Sequence, residues 1–586
     1  MKTKKIVRVL FTVLLFVLVS VAAIGCDPDK EETEKTYTYN TYTALSPSNW
    51  NELTYQDNND LQIMSYIKSD FFEFDFEFDE EGNVVDGKYS VEYSAATKLE
   101  DVTKEYAADE KWGLSENDKN RAYKITLRND LKWDDGTAIK AEDFVYSMQQ
   151  QLDPLFQNYR ADSFYIGATI IHNAENYYKQ GQKIFVDNYA TEEAKYVIAD
   201  LKKGTDGVYT LPNGSPVKFA LEDALVWCGG KTVTDYADYL DADSFAALQA
   251  LADENGRVPV TDATIALVTT LIDTDDWGHE PATNVPFYMV YEHEYVEMDF
   301  DEVGIFAASD YELVLILDKE LPLLNEDGSL SYKAAYNMSG LPLVKKDLYE
   351  ANKVAPVAGT TLWTSTYNSS VASTASWGPY KLTTFQAGKE YVLSRNENWY
   401  GYTAKLYEGQ YQTQKIYCET ISEWSTAWMK FQKGEIDNIG IDPSIAADYK
   451  SSERAYYTPD DFVASLQLQS NKEQLKARES EGVNKTILSY VEFRKALSLG
   501  TNRKEFTAQT TTSSLPGFGL FNSMHYYDVA NGGVYRNEDV AKQVLCDIYN
   551  IDVSKFASLD EAVDSITGYD LTAASSKEAN LLTSIL

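Results

Sequence analysis

Side chains capable of chemistry are present in this chain, but not at the spacings that catalysis requires. The histidines, His172, His279, His293 and His525, never fall into an HExxH pair. His293-Glu294 is a weak metal hint and reads better as surface. The cysteines, Cys26, Cys228, Cys418 and Cys546, lie far apart, with no CxxC and no zinc spacing. A Cys228–Cys418 bridge is open to an exported protein. No GxSxG turn presents a nucleophilic serine. Gly230-Lys231-Thr232 ends like a phosphate loop, but Leu225 stands where its first glycine must be. Carboxylates abound, 91 of 586 residues, so adjacent acids such as Asp134-Asp135 carry no glycosidase signal. No catalytic, cofactor or metal signal stands out, and no enzyme, cofactor or metal is expected.

Composition narrows the kind of binding. The formal net charge of −39 argues against nucleic acid and against adsorption on anionic lipid. The 43 tyrosines and 10 tryptophans suit recognition of peptides or sugars, although tyrosine also covers ordinary strands.

The elements that must position such surfaces are clearest over 123–154. Tyr123, Ile125 and Leu127 alternate with Lys124, Thr126 and Arg128, the period of a half-buried strand. Asn129-Asp130 turns the chain, and Leu131 and Trp133 return apolar side chains to one face. Asp134-Asp135-Gly136 is a second turn, in which glycine can take a left-handed conformation. A helix is predicted from about Ala141, with Glu142 and Asp143 at the positive end of its dipole. Phe144, Met148 and Leu152 form its buried stripe, and Asp153-Pro154 stops it. Further on, Pro212-Asn213-Gly214-Ser215 predicts a hairpin between 209–211 and 217–219. Helices are expected over 244–252 and 263–272, and 360–374 reads as a loop.

The order of residues in 123–154 resembles the signature of the extracytoplasmic solute-binding proteins of peptide ABC transporters, the oligopeptide- and dipeptide-binding family (solute-binding family 5). Leu127, Arg128, Lys132, Trp133, Gly136, Ala141, Asp143, Phe144, Tyr146 and Ser147 fit it. A second match is Trp377-Gly378-Pro379-Tyr380, continuing to Arg395-Asn396 and Trp399-Tyr400. A third is 493–506, expected to be a helix with Phe493, Ala496, Leu497 and Gly500 on one face, where Arg494 and Arg503 also fit and Asn502 replaces the usual aspartate. Each of Arg128, Trp133, Gly136, Asp143, Gly378, Pro379, Tyr380, Asn396, Arg494 and Arg503 reads as structural. The resemblance implies an α/β fold of two lobes, the clamshell of periplasmic binding proteins. It also implies that the first strand and loop border the ligand cleft, which makes Asn49, Trp50 and Tyr55 candidate contacts.

The amino-terminal segment resembles a bacterial lipoprotein signal. Lys2, Lys4, Lys5 and Arg8 precede an apolar run over 9–23, short of the roughly 20 residues a membrane span needs. Ala23-Ile24-Gly25-Cys26 follows, so the resemblance implies removal of 1–25 and lipidation of Cys26. The charged stretch 26–35 is then a tether. The expected organisation is a first-lobe core from 36–90 and 376–475, with 91–375 as an attached domain that includes an insertion at 155–299. Residues 476–586 are expected to open a second lobe that is incomplete. The implied function is capture of oligopeptides on the outer face of the cell membrane and delivery to ABC transporter permease subunits. An oligosaccharide receptor of the same fold and a secreted hydrolase are the alternatives.

Overall fold

The computed structural model describes residues 37–78, 84–188, 194–220, 242–253, 255–272, 285–326, 328–457, 463–480, 483, 485–511, 514–528 and 532–576. The export segment, Cys26 and the tether lie outside them, as do Cys228 and His279.

Strand β1 (Thr38–Thr43) leads through a loop to helix α1 (Leu61–Ile67), then to β2 (Phe72–Phe78) and β3 (Val84–Tyr93). Strands β4 (Ala96–Asp101) and β5 (Ala122–Leu127) precede α2 (Ala141–Gln151). Next come β6 (Lys183–Asp187), β7 (Val217–Ala220), α3 (Ala242–Gln249), β8 (Arg257–Pro259), α4 (Asp262–Ile272) and β9 (Met289–Glu294). They are followed by β10 (Ile305–Ser309), β11 (Glu312–Ile316) and α5 (Lys346–Ala351). Strands β12 (Tyr380–Gln386), β13 (Glu390–Arg395) and β14 (Lys415–Thr420) and helix α6 (Trp424–Gln432) lead to α7 (Val491–Leu499), α8 (Arg503–Thr510) and α9 (Asp539–Ile548).

The fold is mixed α/β, the class expected. One sheet has the order β1-β14-β13-β12. In it β1 runs parallel to β14, pairing Thr38 with Lys415 through Thr43 with Thr420. A parallel pair needs a long crossover, and here everything between Thr43 and Lys415 supplies it. A second, antiparallel sheet has the order β10-β11-β5-β4. Tyr123, Ile125 and Leu127 of β5 are buried while Lys124 and Thr126 are not, as alternation requires. Helix α2 starts at Ala141 and buries Phe144, Met148 and Leu152 against this sheet. The Asp143 carboxylate accepts from the Lys140 amide at 2.8 Å, capping the helix.

The core under this sheet does not stop at the expected boundaries. Phe71 and Phe72 share it with Tyr123 and Phe144, and so do Trp377, Trp399 and Tyr400. The stretches 36–90 and 376–475 also have a cluster of their own, with Trp50, Ile63, Tyr380, Leu393 and Ile416. A third sheet, β8-β7-β9-β6, has its own core of Phe219, Leu248, Val258, Leu271 and Met289.

Two local expectations are corrected. The turn at 211–215 forms, with the Leu211 amide bonded to the Ser215 carbonyl at 2.9 Å, but the hairpin is reduced to one bridge, Thr210 to Pro216. Residues 209–210 pair instead with 202–203, and β7 is claimed on both sides by β8 and β9. The segment 493–506 is two helices rather than one. Between α7 and α8 the Asn502 side chain accepts from the Glu505 amide at 3.2 Å and starts a new helix.

Candidate ligand-binding site

The site begins with the signature residues and what they hold. Trp133 is buried and closes its turn with an amide bond to the Thr137 carbonyl at 2.8 Å. Gly136 takes φ 88°, the left-handed conformation that the turn demands. The Asp134 amide donates to the Ser376 carbonyl at 2.7 Å, and the Ser376 amide donates back to the Asp134 carboxylate at 3.1 Å. Asn398 Nδ2 donates to the Asp134 carbonyl at 3.0 Å. The first and second signatures are therefore one joint. Arg128 forks onto Asp130 at 2.9 and 2.8 Å and lies 4.8 Å from the Tyr400 ring centroid.

That joint grips the end of α1. The Trp377 and Gly378 amides donate to the Ile67 carbonyl at 2.9 and 3.0 Å, and Ser376 Oγ does so at 3.1 Å. A side chain at position 378 would run into the Lys68 backbone, which is why glycine stands there. Fully buried Asn396 donates from Nδ2 to the Gly378 carbonyl at 2.9 Å and from its amide to the Pro379 carbonyl at 2.9 Å. The Tyr380 hydroxyl donates to the Thr413 carbonyl at 2.9 Å. Lys68 and the loop after β1 are placed by these contacts.

The loop itself is clamped from below. Buried Asp60 accepts from the Ser48 and Asn49 amides at 2.7 and 3.0 Å. Trp50 is fully buried: its Nε1 donates to Thr374 Oγ1 at 2.9 Å and its ring packs 4.8 Å from Phe385. Of the three candidate contacts, then, Trp50 faces protein on all sides. Asn49 is half-buried and donates from Nδ2 to Thr54 Oγ1 at 3.1 Å. Tyr55 is half-buried, with the Arg160 guanidinium 3.5 Å from its ring centroid and Arg160 Nε on its carbonyl at 2.8 Å. Leu53 anchors the loop among Tyr146, Val344, Tyr349 and Tyr367.

Between these anchors stands Glu52, which the sequence reading passed over. Burial pushes its carboxyl up to about 7, against the opposing pull of Lys68 and with a further push from Asp70. It makes no hydrogen bond to a described residue. Burial works to lower Lys68, but Glu52 and Asp70 outweigh it and the ammonium is held above its usual range. Lys68 and Asp70 are 3.4 Å apart. Buried Asn51 Nδ2 has no partner among the described residues. Nothing in the sequence marks Glu52: it is an ordinary acid in a polar loop until α1 brings Lys68 to it.

The remaining sequence candidates lie elsewhere. Arg494 donates to the Leu488 carbonyl at 2.6 Å, and Arg503 donates to Ser498 Oγ at 2.7 Å and to the Gly568 carbonyl at 3.4 Å. Cys418 and Cys546 are free thiols among the described residues, and burial pushes Cys418 up to about 11; Cys228, the candidate bridge partner of Cys418, lies outside those residues. Glu294 pairs with Lys183 at 3.0 Å rather than with His293. Among the described residues no three His, Cys, Asp or Glu side chains could hold a metal ion, and no helix is long and apolar enough to cross a membrane.

Residues 102–207 and 241–555 match the family model for bacterial extracellular solute-binding proteins, family 5. The chain belongs to that family. The match takes in most of 155–299 and leaves out 208–240. The chain is also similar to the periplasmic murein peptide-binding protein MppA of Escherichia coli (strain K12), at 54% identity over 35 residues, a stretch that spans 6% of each chain. Among solved structures it is similar to the substrate-binding domain of an oligopeptide ABC transporter from Bacillus anthracis str. Ames, with a TM-score of 0.47 and 14% identity over 89% of this chain and 68% of that one. The periplasmic oligopeptide-binding protein OppAIV of Borrelia burgdorferi gives a TM-score of 0.47 and 14% identity over 93% and 66%.

Proposed function

We propose that this solute-binding protein captures peptides outside the cytoplasmic membrane and delivers them to the permease of an ABC transporter. The observation that carries the reading is the family match over 102–207 and 241–555; the short similarity to a murein peptide-binding protein supports the ligand class. An extended peptide can be held through its main chain, as an added strand is, with little demand on side chains. The loop 49–55 offers what such a ligand needs. Asn49 and Tyr55 are its half-buried polar edge, Trp50 fixes its height, and the Glu52–Lys68–Asp70 cluster can receive charged ends. Lobe closure over the ligand is then a hinge motion in which the ligand selects the closed state. No bond is made or broken. Lipidation at Cys26 holds the protein at the membrane face where the permease lies.

Thermal unfolding of the chain with a mixed peptide pool and, separately, with an oligosaccharide pool tests this. Ligand at about a hundredfold its Kd stabilises the native state by roughly 2.7 kcal/mol. A rise in Tm with peptides and none with sugars is expected. A rise with sugars alone transfers the site to an oligosaccharide receptor.

A further inference from the structure

A cavity of about 480 Å3 opens on the face of the molecule where α2 passes β10 and α5. It shares Tyr146 with the cluster that anchors Leu53 of the loop 49–55, but none of that loop's residues lines it. Its wall is one stripe of α2, with Glu142, Val145, Tyr146 and Gln149 at i, i+3, i+4 and i+7. At 1.5 Å of rise per residue, Glu142 and Gln149 stand about 10 Å apart along the groove. The floor is aromatic: Trp112 and Phe306 stack at 5.4 Å with 15° between their planes.

The charges at the two ends differ in how they are met. At the far end Lys111 and Asp301 neutralise one another at 3.5 Å. At the near end Lys346 sits 4.9 Å from the Tyr146 ring centroid, forms no ion pair within 4.0 Å among the described residues, and faces Asp143 and Glu350 at longer range. Glu142, one helical turn before Tyr146, is without an ion pair or hydrogen bond there. A cation with no close partner and an anion with none therefore flank the same tyrosine, above an apolar floor. A simple anion would satisfy Lys346 and be repelled by Glu142; a simple cation would do the reverse. A ligand carrying both charges close together, with an apolar body, satisfies both.

We propose that this groove is a second binding site, and that it takes a free α-amino acid with a large apolar side chain. The ammonium group meets Glu142, the carboxylate meets Lys346, and the side chain lies along Tyr146 and Phe306. A volume of about 480 Å3 falls in the range of small-ligand pockets.

Isothermal titration of the full chain with L-phenylalanine, L-phenylalaninamide and N-acetyl-L-phenylalanine tests it. L-Phenylalanine is expected to bind. The amide, without its carboxylate, and the acetyl form, without its ammonium, should each bind at least about tenfold more weakly, the loss of one charge-assisted hydrogen bond. Glu142→Gln and Lys346→Met are exposed changes and should weaken L-phenylalanine to the same degree, leaving any peptide-induced rise in Tm intact. Absence of heat with L-phenylalanine, equal binding of all three compounds, or binding unaltered in both variants overturns the proposal.

Discussion

The sheet-built part of the molecule, up to Ile439, and the helical stretch over 463–576 are held together differently. In the first, sequence-distant segments lock through buried contacts: Asp134 to Ser376 and Asn398, Trp50 to Asn368 and Thr374, Gly378 to Ile67. All of the apolar clusters lie there; none includes a described residue beyond Ile439. In the second, α9 turns Val540, Val544 and Ile548 outward, and Leu515 and Leu520 are about four-fifths exposed, at 82% and 80%. Of its family residues, Arg494 bonds to nearby Leu488, while Arg503 reaches Ser498 and also the Gly568 carbonyl at 3.4 Å, 65 residues on. The family pattern thus builds enclosed, sequence-distant joints in one region and partly exposed helical contacts in the other, and substitutions should separate the two.

The largest effect is expected at Gly378. Alanine there drives a methyl into the Lys68 backbone, which cannot rotate away, so a loss of about 3 kcal/mol or more is expected. Gly440→Ala, with open space around it, should change the unfolding free energy by less than about 0.5 kcal/mol. Equal losses at the two positions would erase the joint as an explanation.

Glu52 gives a smaller effect with a pH signature. Its folded carboxyl holds a proton more tightly than the unfolded chain does, about 7 against 4.5. Stability therefore falls as pH rises between those values and is unaffected by this group below the lower one. Glu52→Gln should stabilise the protein by about 1–3 kcal/mol at pH 8 and by nothing measurable at pH 4. A gain of equal size at both pH values would contradict the cluster.

The smallest effect belongs to the helical stretch. Asn502→Ala removes the cap of α8 and should cost about 1 kcal/mol. Hydrogen exchange should quicken over 503–510 while the amides of β12 and β13 remain protected.

What the sequence made legible follows the same division. The strand, turns and helix of 123–154 were readable because alternation, a left-handed glycine and an i, i+4 stripe are local signals, and Phe144, Met148 and Leu152 are buried as that stripe demands. The helix break at Asn502 was written locally too, as a capping residue three before Glu505, but the long pattern across 493–506 obscured it. The meeting of Asp134 with Ser376 was not readable, since no local pattern joins positions so far apart. Trp50 had an aromatic's signal for contact and turned out to be enclosed. Glu52 had none, because its raised carboxyl comes from burial, with a further push from Asp70 and against the pull of Lys68, rather than from its neighbours in sequence.

Peptide capture at the loop after β1 is tested most directly by native mass spectrometry of the purified chain incubated with a defined peptide pool, beside Asn49→Ala and Tyr55→Ala variants. Peptide-sized mass additions on the wild-type chain, depleted in both variants while the folded charge-state distribution is unchanged, are expected. No peptide adduct on a folded wild-type chain, or adducts that survive both substitutions undiminished, would contradict it.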